Sequence, residues 1–167
     1  MHSSLRSRVV VLIALLLAVV ACGDGDGGGD RARVESALDA FAADLVADPP
    51  EEAEIAGRIR AYLDANPELF GSTVALIGSN GLVYYSPYLY RLGDGLGEKN
   101  LAFPEYEIDS QEWLAEPRDR MEAIWTDPYF DAGGGDIWMV TRSVPLLHDG
   151  IVYAVVTTDL PVDPPRD

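Results

Sequence analysis

Side chains able to do covalent chemistry are few in this chain. Cys22 is the single cysteine, which excludes an internal disulfide. His2 and His148 are the only histidines. No Cys and His cluster has metal-ligand spacing, so no zinc or transition-metal site is expected. Ser86 and Ser143 lie outside any Gly-x-Ser-x-Gly turn, and His148 has no evident partner, so neither serine reads as a nucleophile. The chain is therefore expected to have no catalytic residues and no cofactor. Noncovalent chemistry remains. With 28 acidic and 12 basic side chains the formal charge is −16. Such a surface repels nucleic acid and anionic headgroups, and it favours cationic or neutral ligands.

Cys22 has a second meaning through its position. Arg6 and Arg8 precede an apolar run of twelve residues, Val9 to Val20, which small Ala21 and then Cys22 follow. This is the three-part layout of a secretory signal. The run is short of the roughly 20 apolar residues that a membrane span needs. Val19-Val20-Ala21-Cys22 resembles the lipobox of bacterial lipoproteins. That resemblance implies removal of residues 1–21 and acylation of Cys22; the alternative is an ordinary signal peptide with an incidental cysteine. Without residues 1–21, which hold Arg6 and Arg8 and no acid, 10 basic and 28 acidic side chains remain, a charge of −18. Attachment by lipid, not by a basic patch, fits this charge. Residues 22–30 then form the lipidated cysteine and a tether, since Gly23 to Asp30 (GDGDGGGD) offers nothing to a core. The implied location is a membrane-anchored lipoprotein on the periplasmic or cell-surface side. Gly23 after the cysteine leans toward an outer membrane where one exists.

About 137 residues follow the tether, enough for one domain. Val34, Leu38, Phe41 and Leu45 recur at helical spacing and predict a helix over 31–47, ended by Asp48-Pro49-Pro50. Ile55, Ile59, Tyr62 and Leu63 predict a second, from about Glu51 to Asn66. The pattern then turns to strands. Thr73–Ile77 and Leu82–Tyr85 flank Gly78-Ser79-Asn80-Gly81, whose Asn-Gly step signals a hairpin. Residues 86–112 read as a long irregular connection, and a short helix is expected between Trp113 and Ile124. Asp136–Val144 and Ile151–Thr158 predict a second hairpin through His148-Asp149-Gly150. This order argues an α+β fold with an antiparallel sheet, and the long middle connection points to function. No output segment is expected after the last strand.

Several pieces then fall in a familiar order: Tyr84–Arg91 (YYSPYLYR), Trp113, Thr126–Asp131 (TDPYFD), Trp138–Pro145 (WMVTRSVP) and Val155–Leu160 (VVTTDL). As a set they resemble a Cache domain, the PAS-like sensor found outside the cytoplasm in bacterial chemoreceptors and histidine kinases. The resemblance covers residues 31–162 and leaves 163–167 as a tail. It implies a long N-terminal helix packed on a PAS-like central antiparallel β-sheet, a single Cache domain, with a small-molecule pocket between one sheet face and its covering loops. In members that bind amino acids, a Tyr is followed five residues on by an Arg, then after one residue by Trp and a second aromatic. An Asp in a PY-x-D turn and an Asp ending the last strand complete the set. Tyr106, Trp113, Asp131 and Asp159 match. Gln111 stands in place of the Arg, and Leu114 replaces the second aromatic.

The resemblance makes Tyr106, Gln111, Trp113, Tyr129, Asp131 and Asp159 the ligand-binding candidates, with Cys22 as lipid attachment site. Gln offers one neutral amide where Arg offers a charged fork, and a carboxylate buried without a cation is costly. An α-amino acid is therefore not the expected ligand. The acids still suit an ammonium, and Trp113 or Tyr129 offers a cation–π face; an amine or a neutral polar metabolite is the sharper expectation. Arg142 would replace the missing cation only if its strand parity turns it inward. Each residue also has a plain structural use: Trp113 as core, Asp131 as a turn cap, Asp159 as a strand end. The expected role is a small-molecule-binding sensory module that signals through a separate membrane protein. An interaction or scaffold lipoprotein that retains the fold without a ligand is the alternative.

Overall fold

Helix α1 (Asp26–Ala47) buries Val34, Leu38, Phe41 and Leu45, the four residues of its apolar stripe. The structure, a computed structural model, describes residues 26–165. The leader of residues 1–21 and Cys22 lie outside the described residues. Helix α1 begins at Asp26, inside the stretch that composition reads as tether, so only residues 22–25 of that stretch precede it. It stops before Pro49 and Pro50, which lack the amide hydrogen a continued helix needs. A one-turn 3₁₀ helix, Glu52–Glu54, leads into α2 (Ile55–Ala65). Its first turn is closed by Glu51, whose backbone N–H donates to the Glu54 carboxylate at 3.0 Å. The two helices pack through stacked Phe41 and Tyr62, with ring centres 4.6 Å apart. Arg58 bridges back from α2 to Asp44 and Asp48.

Eight strands follow among the described residues: β1 (Gly71–Ile77), β2 (Val83–Tyr85), β3 (Pro87–Leu92), β4 (Gly95–Asn100), β5 (Ile124–Trp125), β6 (Tyr129–Phe130), β7 (Trp138–His148) and β8 (Ile151–Pro161). Helix α3 (Glu112–Arg120) lies between β4 and β5. The sheet is antiparallel in the order β4-β3-β1-β8-β7-β5, with β2 beside β1 and β6 beside β7. The molecule is thus α+β, with the long N-terminal helix on a central antiparallel sheet, as the sequence implied. Among the described residues no helix is long and apolar enough to cross a membrane.

The irregular connection expected over 86–112 is corrected. Its first half is the β3–β4 hairpin, paired from Pro87↔Asn100 to Leu92↔Gly95. Gly95-Leu96-Gly97-Glu98-Lys99-Asn100 has little strand propensity of its own. It becomes a strand because β3, itself held by β1, offers a row of amide partners. Its polar composition suits the exposed edge it forms. The β7–β8 turn also has a local cause: Asp149 and Gly150 take φ of 51° and 77°, the left-handed pair that a two-residue hairpin requires.

Strand alternation gives the sheet two different faces. Val74, Leu89, Val144, Leu146, Ala154 and Val156 meet α1 and α2 in the main core. The opposite face carries Ala75, Tyr88 and Val155, covered by Leu101, Tyr106, Ile108, Trp113 and Leu114. Hydroxyl and carboxyl groups concentrate on this second face, where Thr73, Thr141, Thr157 and Asp159 are all buried.

Candidate functional site

Asp159 stands near the end of β8 on the covered face. It pairs in register with Gly71 of β1 and Thr141 of β7. One carboxylate oxygen accepts from the Tyr88 hydroxyl at 2.8 Å, and the other from the Thr141 hydroxyl at 2.7 Å. The Tyr129 hydroxyl lies 2.9 Å from the same Thr141 oxygen. Burial pushes the Asp159 carboxyl up to about 7; the nearby Asp131 charge adds to this, while Thr141 and Tyr88 oppose it by hydrogen bonding.

Asp131 enters the same space from the turn after β6. Its carboxylate accepts from the Tyr106 hydroxyl and from the backbone N–H of Gly135, each at 2.6 Å. The turn wraps tightly around this side chain. Gly133 has φ +81°, and a Cβ at Gly134 would collide with the Asp131 carboxylate. The three consecutive glycines, 133–135, are thus the sequence signal for a buried acid in this turn. Lys99 of β4 fastens the turn from outside, donating to the Gly133 and Gly134 carbonyls at 3.2 and 2.5 Å.

Tyr106 closes the one-turn helix Pro104–Tyr106, and Trp113 opens α3. The Trp113 indole N–H donates to the Tyr106 hydroxyl at 3.2 Å, so Trp113, Tyr106 and Asp131 form one chain of hydrogen bonds. Burial and the Asp131 charge both push the Tyr106 hydroxyl well above its ordinary value, so it remains a donor. Burial first, then the Asp159 charge, does the same for Tyr88 and Tyr129.

These groups surround one small cavity of about 10 Å³, lined by Thr73, Tyr88, Leu101, Tyr106, Trp113, Tyr129, Asp131, Thr157 and Asp159. Five of the six residues singled out from the sequence therefore meet at one point. Gln111 does not. Its amide turns back and donates to the Tyr106 carbonyl at 2.8 Å, bracing the turn that presents Tyr106. Leu114 is fully buried in the cover. Arg142 is on the other face, since its neighbour Thr141 points to the cavity; its guanidinium lies 4.0 Å from Asp39 of α1. Strand parity thus removes it as a replacement cation. None of the lining residues is basic.

Sequence reasoning missed Tyr88 and Thr141, the two partners of Asp159. Tyr88 lies in the 86–112 stretch whose composition reads as an irregular connection. Thr141 was legible only by parity, two residues before Ser143 on a strand whose inward set could not be fixed.

The family of the methyl-accepting chemotaxis protein-like first PDC sensor domain matches residues 55–164. This chain belongs to that family. No curated protein matches it. Solved structures share the PDC fold. The extracellular domain of a histidine kinase superposes with TM-score 0.68 at 22% identity, covering 80% of this chain and 54% of that one. A second histidine kinase extracellular domain gives TM-score 0.64 at 17% identity, covering 80% and 52%. The ligand-binding domain of the Campylobacter jejuni chemoreceptor Tlp3, in complex with L-valine, gives 0.61 at 19% identity, covering 80% and 53%. The chain spans about half the length of these structures. The PDC assignment supports the Cache-type sensor domain that the sequence motifs implied.

Proposed function

We propose that this PDC domain is a lipid-anchored, extracytoplasmic receptor for a small cation, most simply an amine without a carboxylate, and that it signals through a separate membrane protein. One observation carries the reading: two buried acids, Asp131 and Asp159, face a single cavity whose lining holds no basic residue. Buried charges in proteins are normally paired. Burial raises the Asp159 carboxyl, and a cation bound beside it would lower it again. An ammonium entering here would meet both carboxylates, with the rings of Tyr88, Tyr106, Trp113 and Tyr129 around it. The replacement of the expected Arg by Gln111, and its use inside the Tyr106 turn, supports a ligand lacking a carboxylate. The Tlp3 domain was solved with L-valine; in this chain Asp131 and Asp159 are placed to hold an amino group, and no basic residue of the cavity lining is placed to hold a carboxylate.

Entry requires movement. About 10 Å³ is room for roughly one water. The cover would lift as a unit: the Pro104–Tyr106 turn, α3 and the glycine turn around Asp131. Hydroxyl donors would leave the carboxylates and the ammonium would replace them. The tyrosine–carboxylate bonds then act as a closed state that the ligand competes against, and the displaced cover is the altered surface a partner would read.

A second reading has its own support. All four carboxylate oxygens of Asp131 and Asp159 have partners, and the cavity is nearly filled. This favours a scaffold that retains the fold without a ligand. A thermal-shift screen of the mature chain with amines, amino acids, carboxylates and purines separates the two. A ligand at 100 times its Kd adds about 2.7 kcal/mol of stability. The receptor reading expects a shift with an amine and none with carboxylates. A flat response to every class would leave the scaffold.

A further inference from the structure

Cys22 is four residues before Asp26, where α1 begins. Four residues reach at most about 14 Å. An acyl group on Cys22, which belongs to the reading above, therefore keeps the first turn of α1 near the lipid headgroups. Which part of the domain shares that end follows from packing. Helix α1 runs parallel to β7: Val34 shares a cleft with Val140, Asp39 approaches Arg142, and Leu45 meets Leu146. The start of α1 is thus level with the start of β7 at Trp138. Met139 pairs with Pro161, so β8 ends there too. Gly71 pairs with both Asp159 and Tyr90, which brings the end of β3, at Leu92, to the same edge.

Apolar side chains face outward at this end, as Leu82, Tyr84, Leu147 and Ile151 do at the other, so the acyl anchor decides which end meets lipid. Leu92 is 61% exposed and Phe130 48%. Phe130 packs edge-on against half-buried Trp138, with ring centres 6.2 Å apart. The cleft between α1 and the end of β8, about 400 Å³, opens here with Arg31 and Arg33 beside it. Acids stand among these residues, Asp30 and Glu68 paired to Arg33 included, so charge does not favour an anionic surface. Aromatic and aliphatic side chains at the end of a domain held within a few residues of lipid suit the headgroup layer of a neutral bilayer, where Trp is enriched.

We infer that the domain seats upright on a zwitterionic lipid surface through Leu92, Phe130 and Trp138. The strands then point away from the membrane, and the β7–β8 hairpin tip at Ile151 stands furthest from it. The eleven residues of β8 span roughly 35 Å, so the two ends are well resolved by a fluorescent label.

The test uses the full acylated chain in phosphatidylcholine vesicles. With Cys22 acylated, Leu92→Cys or Ile151→Cys supplies the only free thiol, and both positions are exposed enough to accept the change. A nitrobenzoxadiazole label at position 92 should shift to the blue and lose at least half its emission to phosphatidylcholine carrying a nitroxide on its headgroup; a label at 151 should do neither. Flotation of the chain with its label at 92 still in water overturns the seating and leaves the anchor standing. A label at 151 quenched as strongly as one at 92 overturns it as well. Failure to float removes the anchor and the seating together.

Discussion

Asp159 is held by two hydroxyl donors yet titrates near 7, because burial outweighs the bonds that favour its charged form. The consequence for stability has a definite sign. In the unfolded chain this carboxyl ionises near 4. Between that value and 7 the folded state holds a proton that the unfolded state has released. The contribution of this group to stability should therefore be greatest below about pH 4, fall as the pH rises to 7, and level off above it. Asp159→Asn removes the ionisable group while keeping its shape. The variant should gain stability relative to the parent above pH 7 and lose this part of the pH dependence, as measured by urea unfolding from pH 4 to 9. A parent chain whose stability rises between pH 5 and 7, with no difference in the variant, would contradict the assignment. At this scale the sequence was partly legible. Motif order found Tyr106, Trp113, Asp131 and Asp159. It could not find that Gln111 braces a turn or that Arg142 faces α1, because both depend on which way a side chain points.

The glycine turn between β6 and β7 is the element that brings Asp131 to the cavity. Its glycines let the backbone fold around the carboxylate, and Gly135 donates to it. Gly134→Ala should push that carboxylate out of place, weaken the Tyr106 bond, and cost about 1–3 kcal/mol, the usual penalty for a buried polar group left unpaired. Thermal unfolding of the variant checks this, and an unchanged midpoint would reject it. Helices α1 and α2 were readable in advance because their apolar residues recur at a period that no other structure shares. The β3–β4 hairpin was not. Pro87 and three glycines hide it, and its stability comes from pairing with a strand distant in sequence. The same hairpin supplies Tyr88 and Lys99, so the missed element and the missed site partner share one cause.

For the whole molecule, the arrangement places an acid-lined cavity under the Tyr106 turn and α3 on one sheet face, with α1 and α2 on the other. The PDC family assignment accounts for the architecture, and the anchor would fix its location. Cys22→Ser should release the protein from the membrane fraction without changing its fold, read by fractionation and circular dichroism. Retention in membranes would count against acylation at that residue. The most direct test of the cavity is calorimetric titration of the mature chain with putrescine, ethanolamine and choline at pH 8, where Asp159 is ionised, compared with its Asp159→Asn variant. The account predicts that at least one of these cations binds the parent chain, more weakly as the pH drops below 7, and that the variant loses the binding while remaining folded. Equal binding by both proteins, or heat from neither, would contradict it.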